Sequence, residues 1–254
     1  MIDIHTHLLP QIDDGPSDWE DSLALIRQGM EDGIRGAVCT SHVLNRLDDD
    51  LEGKLQYKFA QLQDMVQRNK LNFQLWLGSE VHCQANFNAG FKTATINGNG
   101  KYIMIELPLA SVPENVGDMF FQMQLKGVAP ILVHPERNSV LASRIEKIFS
   151  FVQRGVLVQV NAGSLTGDFG KKVRQTAVKM LDHGLVHFVA SDCHSTGSRP
   201  MKLSKAYSIV SERCGRESAQ RIFSLHPRQA IEGDAIQVQE PLPLEKIKRR
   251  WFSR

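Results

Sequence analysis

MIDIHTHLLPQIDDGP, residues 1–16, sets two histidines and three aspartates beside a short apolar, β-rich start. Ile2, Asp3, Ile4 and His5 read as a strand. If the backbone stays extended through Thr6, His5 and His7 point the same way, because strand side chains alternate with a period of two. Exposed His and Asp at a terminus need no function of their own. The reading therefore turns on whether other strand ends supply partners at the same place.

Six further apolar, β-rich segments recur: GAVCTSH (36–42), FQLWLGSE (73–80), YIMIEL (102–107), APILVHPE (129–136), VLVQVNAG (156–163) and VHFVASDCH (186–194). Several are near-continuous apolar runs, as parallel strands covered on both faces require. The segments between them read as helices. SDWEDSLALIRQGMEDG (17–33) predicts a helix with Ser17 as N-cap, Glu20 three residues on, and a stop at Gly33. After Leu51, the residues Leu55, Phe59, Leu62 and Val66 keep helical spacing. VGDMFFQMQLKG, SRIEKIFSFVQRG, FGKKVRQTAVKMLDHG, LSKAYSIVSERCG and ESAQRIFSL continue the series. Strand and helix in alternation with short connections imply an α/β fold with a parallel sheet. Seven strand candidates without a glycine-rich dinucleotide loop favour a barrel over a doubly wound sheet.

In such a barrel, functional groups gather at the C-terminal strand ends. There the first strand offers His5 and His7, the second His42, the third Glu80, the fourth Glu106, the fifth His134 and the seventh Asp192 and His194. A lone strand-end histidine is usually structural. Six strand ends that all supply His, Asp or Glu point instead to a shared metal site, and Glu106 inside YIMIEL is costly to bury without a partner. Imidazoles and carboxylates without a necessary thiolate suit Mn, Fe or Zn. The candidates exceed one ion's needs, so two or three ions are implied, with Glu80 as a bridging carboxylate. Asp13 and Asp14 are adjacent, and spacing does not choose between them.

The bulk properties set the frame. The 254 residues, 42% hydrophobic and 23% charged, suit one large soluble α/β domain or two small ones. No apolar run reaches membrane-spanning length. The start lacks the basic and apolar stretches of a secretory signal. Cys39, Cys83, Cys193 and Cys214 show no CxxC spacing, which suits reduced thiols in a cytoplasmic protein. The net charge is +2, and no basic groove pattern or recognition motif suggests nucleic acid. The last nine residues, KIKRRWFSR, carry five Lys or Arg and two aromatics. They read as a solvated basic tail, with peripheral contact to anionic lipid or an acidic partner as the alternative. Cys193 and Arg199 imitate the C-x5-R spacing of cysteine phosphatases, but no cysteine nucleophile is indicated.

MIDIHTH, the TSH ending in His42, the GSE ending in Glu80, the Glu106 strand, VHPER and ASDCH together resemble the polymerase-and-histidinol-phosphatase (PHP) superfamily. DIHTHLLPQIDDGP, HPERN and SDCHSTGSRP resemble its manganese-dependent bacterial protein-tyrosine phosphatases of capsule and exopolysaccharide operons. The resemblance runs from Met1 to about Gly233. It implies a distorted (β/α)7 TIM-like barrel over residues 1–235, followed by a basic tail over 236–254. It implies a trinuclear site of His5, His7, Asp14, His42, Glu80, Glu106, His134, Asp192 and His194, holding Mn2+ with Fe, Zn or Mg as alternatives. It assigns Asp14 to metal and leaves Asp13 to support the site from outside. Arg137 and Arg199 match phosphate-facing arginines, and Asp192 is expected to serve catalysis as well. The implied reaction is hydrolysis of phosphotyrosine by a water activated at the cluster. The implied partner is an autophosphorylating tyrosine kinase of polysaccharide export, and a homo-oligomer is allowed. The rival readings are a PHP phosphatase or phosphodiesterase for a small molecule such as histidinol phosphate or a nucleotide, and a DNA-processing PHP module.

Overall fold

β1 (Ile2–Thr6), β2 (Gly36–Cys39), β3 (His42–Val43), β4 (Gln74–Leu77), β5 (Glu80–His82), β6 (Tyr102–Glu106), β7 (Ala129–Val133), β8 (Leu157–Asn161) and β9 (Phe188–Ala190) are parallel throughout. This computed structural model describes residues 1–86 and 90–244. The strands pair as β1-β2-β4 and as β3-β5-β6-β7-β8-β9. β2 runs on into β3 and β4 into β5, so the two sheets form one seven-membered wall. The wall closes where the Asp192 N–H donates to the His5 carbonyl (2.9 Å) and the His7 N–H to the Cys193 carbonyl (3.0 Å). The chain folds as the distorted PHP-type barrel that the motifs led us to expect.

The distortion differs from the sequence reading in two places. GAVCTSH and FQLWLGSE are not single strands but break at Thr40–Ser41 and Gly78–Ser79. At the break the Glu80 N–H is shared between the Thr40 and Ser41 carbonyls, at 3.2 and 3.1 Å, which carries the pairing from one sheet to the other. The β1–β2 register also slips between Asp3 and Thr6. A bulge of this kind re-aims side chains. Ile4 stays in the interior, and His5 reaches it as well.

The helices are α1 (Trp19–Glu31), α2 (Asp49–Arg68), α3 (Val116–Leu125), α4 (Ser139–Ser143), α5 (Ile145–Gln153), α6 (Ala162–Thr166), α7 (Lys171–Asp182), α8 (Ser204–Cys214), α9 (Arg216–Gln220) and α10 (His226–Glu232). The cap of α1 is Asp18, which accepts the Asp21 N–H, and not Ser17. Ser17 lies one residue outside, its hydroxyl donating to Asp21 Oδ2. Both residue types cap well, so composition alone favours neither.

Two apolar layers follow the strand period. Ile103, Ile105, Leu132, Val158 and Val160 face helix residues such as Leu23, Leu55 and Phe120. Ile4, Val38, Met104, Ile131, Val133 and Phe188 fill the barrel interior, and Ala230 and Ile231 of α10 join them. Burying interior side chains of this size contributes about 1.5–3 kcal/mol each. The interior cluster leaves the opposite, C-terminal end to polar groups. Beyond α10, Leu242 exchanges two hydrogen bonds with His183, so residues up to Leu244 lie along the barrel. The basic stretch from Lys246 onward, with its expected membrane or kinase contact, lies outside the described residues. No helix among the described residues is long and apolar enough to cross a membrane.

Candidate metal centre

The pairing register alone sets His42 beside Glu80 and His82 beside Glu106. Glu106 follows Tyr102 and Met104 on the interior face, so its carboxylate reaches the top of the barrel. Glu80 is the hub. Its Oε1 is 2.8 Å from His134 Nε2, and its Oε2 lies 3.1, 3.3 and 2.9 Å from ring nitrogens of His5, His7 and His42. Four overlapping groups result: His7-Asp14-His42-His194, His5-His134-Asp192, His5-His7-Glu80 and His42-Glu80-Glu106. Within each group, one donor atom per residue lies within 4.8 Å of the others. All nine candidate ligands from the sequence are brought together here.

The ring orientations decide what these donors can do. His5 Nδ1 donates to Gln159 Oε1 (3.0 Å), His7 Nδ1 to Asp13 Oδ2 (2.9 Å) and His194 Nδ1 to the Asp192 carbonyl (3.0 Å). Each bond commits one nitrogen to N–H and turns the Nε2 lone pair inward, which is how metal-ligating imidazoles are held. His194 Nε2, His42 Nδ1, Glu80 Oε2 and Asp192 Oδ1 are buried without a hydrogen-bond partner among the described residues. His42 Nδ1 and Glu80 Oε2 approach to 2.9 Å yet do not meet hydrogen-bond geometry. Buried polar atoms are rarely orphaned, and four orphans among nine converging donors fit divalent cations.

Charge tells the same story. Burial opposes protonation of His5, His7 and His42, yet all three rings are raised above ordinary histidine. Glu80 and Asp192 do this for His5, Asp13 leads for His7, and Glu80 leads for His42. Burial disfavours ionisation of Glu80 and Asp192, but the imidazoles, with Arg199 beside Asp192, hold both well below the usual carboxylate range. His194 behaves oppositely: burial, then His7 and Arg199, lower it to about 4, which keeps its nitrogen free. The negative charge of these carboxylates attracts protons to the rings, and a divalent cation would take the place of those protons.

Asp13 and Asp14 separate clearly in space. The Asp13 carboxylate is 4% exposed and accepts from His7 Nδ1, the His42 N–H (3.0 Å) and the Gly15 N–H (3.0 Å). Asp14 is 63% exposed and lies 3.0 Å from His194 Nε2 and 3.4 Å from His42 Nε2. Lys58 Nζ donates to the Pro10 carbonyl at 2.7 Å and pins the loop that carries both.

Beside the cluster, Asp192 Oδ2 accepts from Arg137 Nη1 (3.1 Å), Arg199 Nη2 (2.5 Å) and Asn161 Nδ2 (2.7 Å). Asp192 Oδ1 is left facing the histidines. Arg199 Nε is buried with no partner among the described residues. The sequence reading missed Gln159 and Asn161, which orient His5 and Asp192 and are joined by a 2.8 Å hydrogen bond. It also gave no role to Glu136, which accepts from the Asn161 N–H and Ser164 Oγ. Two polar residues at period two in the apolar run VLVQVNAG were the available signal. Cys193 sits in the outer apolar layer, fully buried, and burial pushes its thiol up.

Nine nitrogen and oxygen donors at the mouth of this barrel place the chain among the metal-dependent hydrolases of the PHP superfamily. Residues 1–232 match the family model for capsular polysaccharide synthesis, CpsB/CapC, and the chain belongs to that family. It is 34% identical over 211 residues to the CapC protein of Staphylococcus aureus, covering 82% of each chain. It is 29% identical over 251 residues to the tyrosine-protein phosphatase YwqE of Bacillus subtilis (strain 168), covering 98% of each. Crystal structures of YwqE and of CpsB from Streptococcus pneumoniae describe them as metal-dependent tyrosine phosphatases. The match there has a TM-score of 0.87 at 28% identity, over 98% of this chain and 100% of that one.

Proposed function

We propose that this chain is a metal-dependent protein-tyrosine phosphatase that hydrolyses phosphotyrosine on proteins, and that its cations are two or three manganese ions. The observation that carries the reading is the convergence of Arg137 and Arg199 on one oxygen of Asp192, whose other oxygen faces the histidine cluster. Guanidinium groups beside a cation cluster suit a phosphoryl group, because planar N–H pairs match its oxygens. His5, His7, Asp14, His42, Glu80, Glu106, His134, Asp192 and His194 would hold the ions. When bound, the ions supply Lewis acidity to the phosphoryl oxygens and acidify a water. Asp192 sets both arginines in place, and Arg199 Nε offers a buried donor for an oxygen of the substrate. The leaving phenolate has an ordinary pKa near 10, so it needs less protonic help than an alkoxide.

Access suits a protein substrate. Asp14 is 63% exposed, and His42 and Glu106 are 18% and 17% exposed, so the cluster opens to solvent on that side. The kinase of a polysaccharide-export system is the partner we infer, since the family works in capsular polysaccharide synthesis. The test is a parallel assay of the manganese-reconstituted chain on phosphotyrosyl peptide, phosphoseryl peptide and histidinol phosphate. The highest kcat/KM is expected for the phosphotyrosyl peptide. A preference for histidinol phosphate would overturn the assigned substrate.

A further inference from the structure

Arg137 is held on more than one side. Its Nη1 donates to Asp192 Oδ2 at 3.1 Å, and its Cζ sits 4.5 Å from the ring centroid of Phe169. One hydrogen bond leaves a guanidinium free to swing about that bond. An aromatic face fixes its plane as well, through cation–π attraction and stacking. We propose that Phe169 is a positioning residue for Arg137, a shelf that presents the guanidinium to a phosphoryl oxygen, and that Gly163 exists to admit this ring. The proposal rests on reading the centre as a phosphate-monoester site.

The local chain is built for it. Phe169 lies in a turn between α6 and α7, flanked by Gly167 at φ 99° and Gly170 at φ 90°. The Gly163 carbonyl accepts the N–H groups of Gly167 (3.0 Å) and Asp168 (2.9 Å), which folds the turn back over residue 163. A Cβ on Gly163 would stand 2.9 Å from Phe169 Cε2, closer than carbon atoms pack. Asn161, two residues before, supplies the Nδ2 that holds Asp192. One short segment therefore sets both supports of Arg137: the carboxylate at its edge and the ring under its face.

The experiment uses the full manganese-loaded chain and inorganic phosphate as the probe, with affinity read by calorimetry. Phe169→Leu and Phe169→Tyr are made in the parent and in an Arg137→Ala background, and Gly163→Ala gives an independent way to displace the ring. Phe169→Leu is expected to weaken phosphate binding roughly 3- to 30-fold in the parent. Phe169→Tyr should hold near parental affinity, and Gly163→Ala should shift in the same direction as Phe169→Leu. In the Arg137→Ala background, Phe169→Leu should cost nothing further. An equal loss in both backgrounds, or parental affinity in Phe169→Leu, overturns the proposal. Peptide and histidinol phosphate turnover by the same proteins keeps the two questions apart. A parent that prefers histidinol phosphate overturns the substrate reading alone, while the background dependence still decides Phe169.

Discussion

Replacing Asp13 and Asp14 by alanine, one at a time, should separate a residue that builds the site from one that faces the metal. Asp13 accepts three hydrogen bonds and is nearly buried, so Asp13→Ala leaves His7 Nδ1–H and the His42 and Gly15 N–H groups without their acceptor. Each orphaned donor costs about 1–3 kcal/mol, and the low end applies where water can reach the freed donors once the carboxylate is gone, for about 3 kcal/mol in all. For a chain of this size that is a fall in Tm of roughly 6–12 °C. Asp14 is mostly exposed, and Asp14→Ala should stay within about 0.5 kcal/mol. The measurement is thermal unfolding in excess chelator, followed by manganese affinity by competition with a chromophoric chelator. Both variants should bind manganese more weakly, Asp13→Ala by roughly 10- to 100-fold because His7 loses its orienting partner. The reasoning fails if Asp13→Ala melts like the parent while Asp14→Ala melts well below it.

Arg199→Lys keeps the charge but loses the planar donor set, and should lower kcat/KM for an aryl phosphate on the order of 100-fold with manganese content unchanged; parental turnover would remove Arg199 from the phosphate. Cys193→Ser should keep kcat within about twofold, because the thiol is buried in the outer apolar layer and inert. Near-complete loss with metal retained would restore a thiolate mechanism. His187 gives a pH prediction away from the metals. Burial, then His226, lowers it to about 3, while Nδ1 accepts the Val158 N–H at 3.0 Å. The unfolded chain protonates this ring below its ordinary 6.5, the folded chain only near 3, so stability is lost as pH falls across that window. The loss approaches about 2 kcal/mol by pH 5. In urea titrations with chelator, His187→Asn should show a shallower fall between pH 7 and 5 than the parent; equal slopes would contradict the assignment.

Most of the candidate ligands were legible because they close apolar strands at their C-terminal ends, where a parallel barrel collects functional groups; Asp14, on the loop after β1, came from the family resemblance and not from strand position. His42 and Glu80 needed only the strand register to meet, and Glu106 only the period of two. What orients them was harder to read. Gln159 and Asn161 look like interruptions in a strand until the fold brings them under His5 and Asp192. The breaks at Thr40–Ser41 and Gly78–Ser79 fall inside β-rich runs, and local propensity does not mark where a strand changes its partner sheet. Phe169 stood at the start of a helical pattern, and nothing local linked it to Arg137, which a different barrel connection supplies.

His134 and Asp192 carry the remaining physical cost of the centre. Both adopt left-handed backbone, at φ 34° and 54°, where an L side chain costs about 1–3 kcal/mol. On β7 the interior residues are Ile131 and Val133, so simple alternation would send His134 toward the helices. The left-handed turn brings its ring back to Glu80 at 2.8 Å. Asp192 follows Ala190 on the interior face already. There the turn serves the backbone, sending the Asp192 N–H to the His5 carbonyl and so joining the last strand to the first. Glycine would relieve either turn but carries no donor. The strain therefore falls on two residues of the candidate metal cluster, and the bulge at His5 works to the same end from the opposite edge. The slip within β1, the breaks at Thr40–Ser41 and Gly78–Ser79 and the left-handed turns at His134 and Asp192 are the departures from regular barrel geometry that bring six strand ends to one centre.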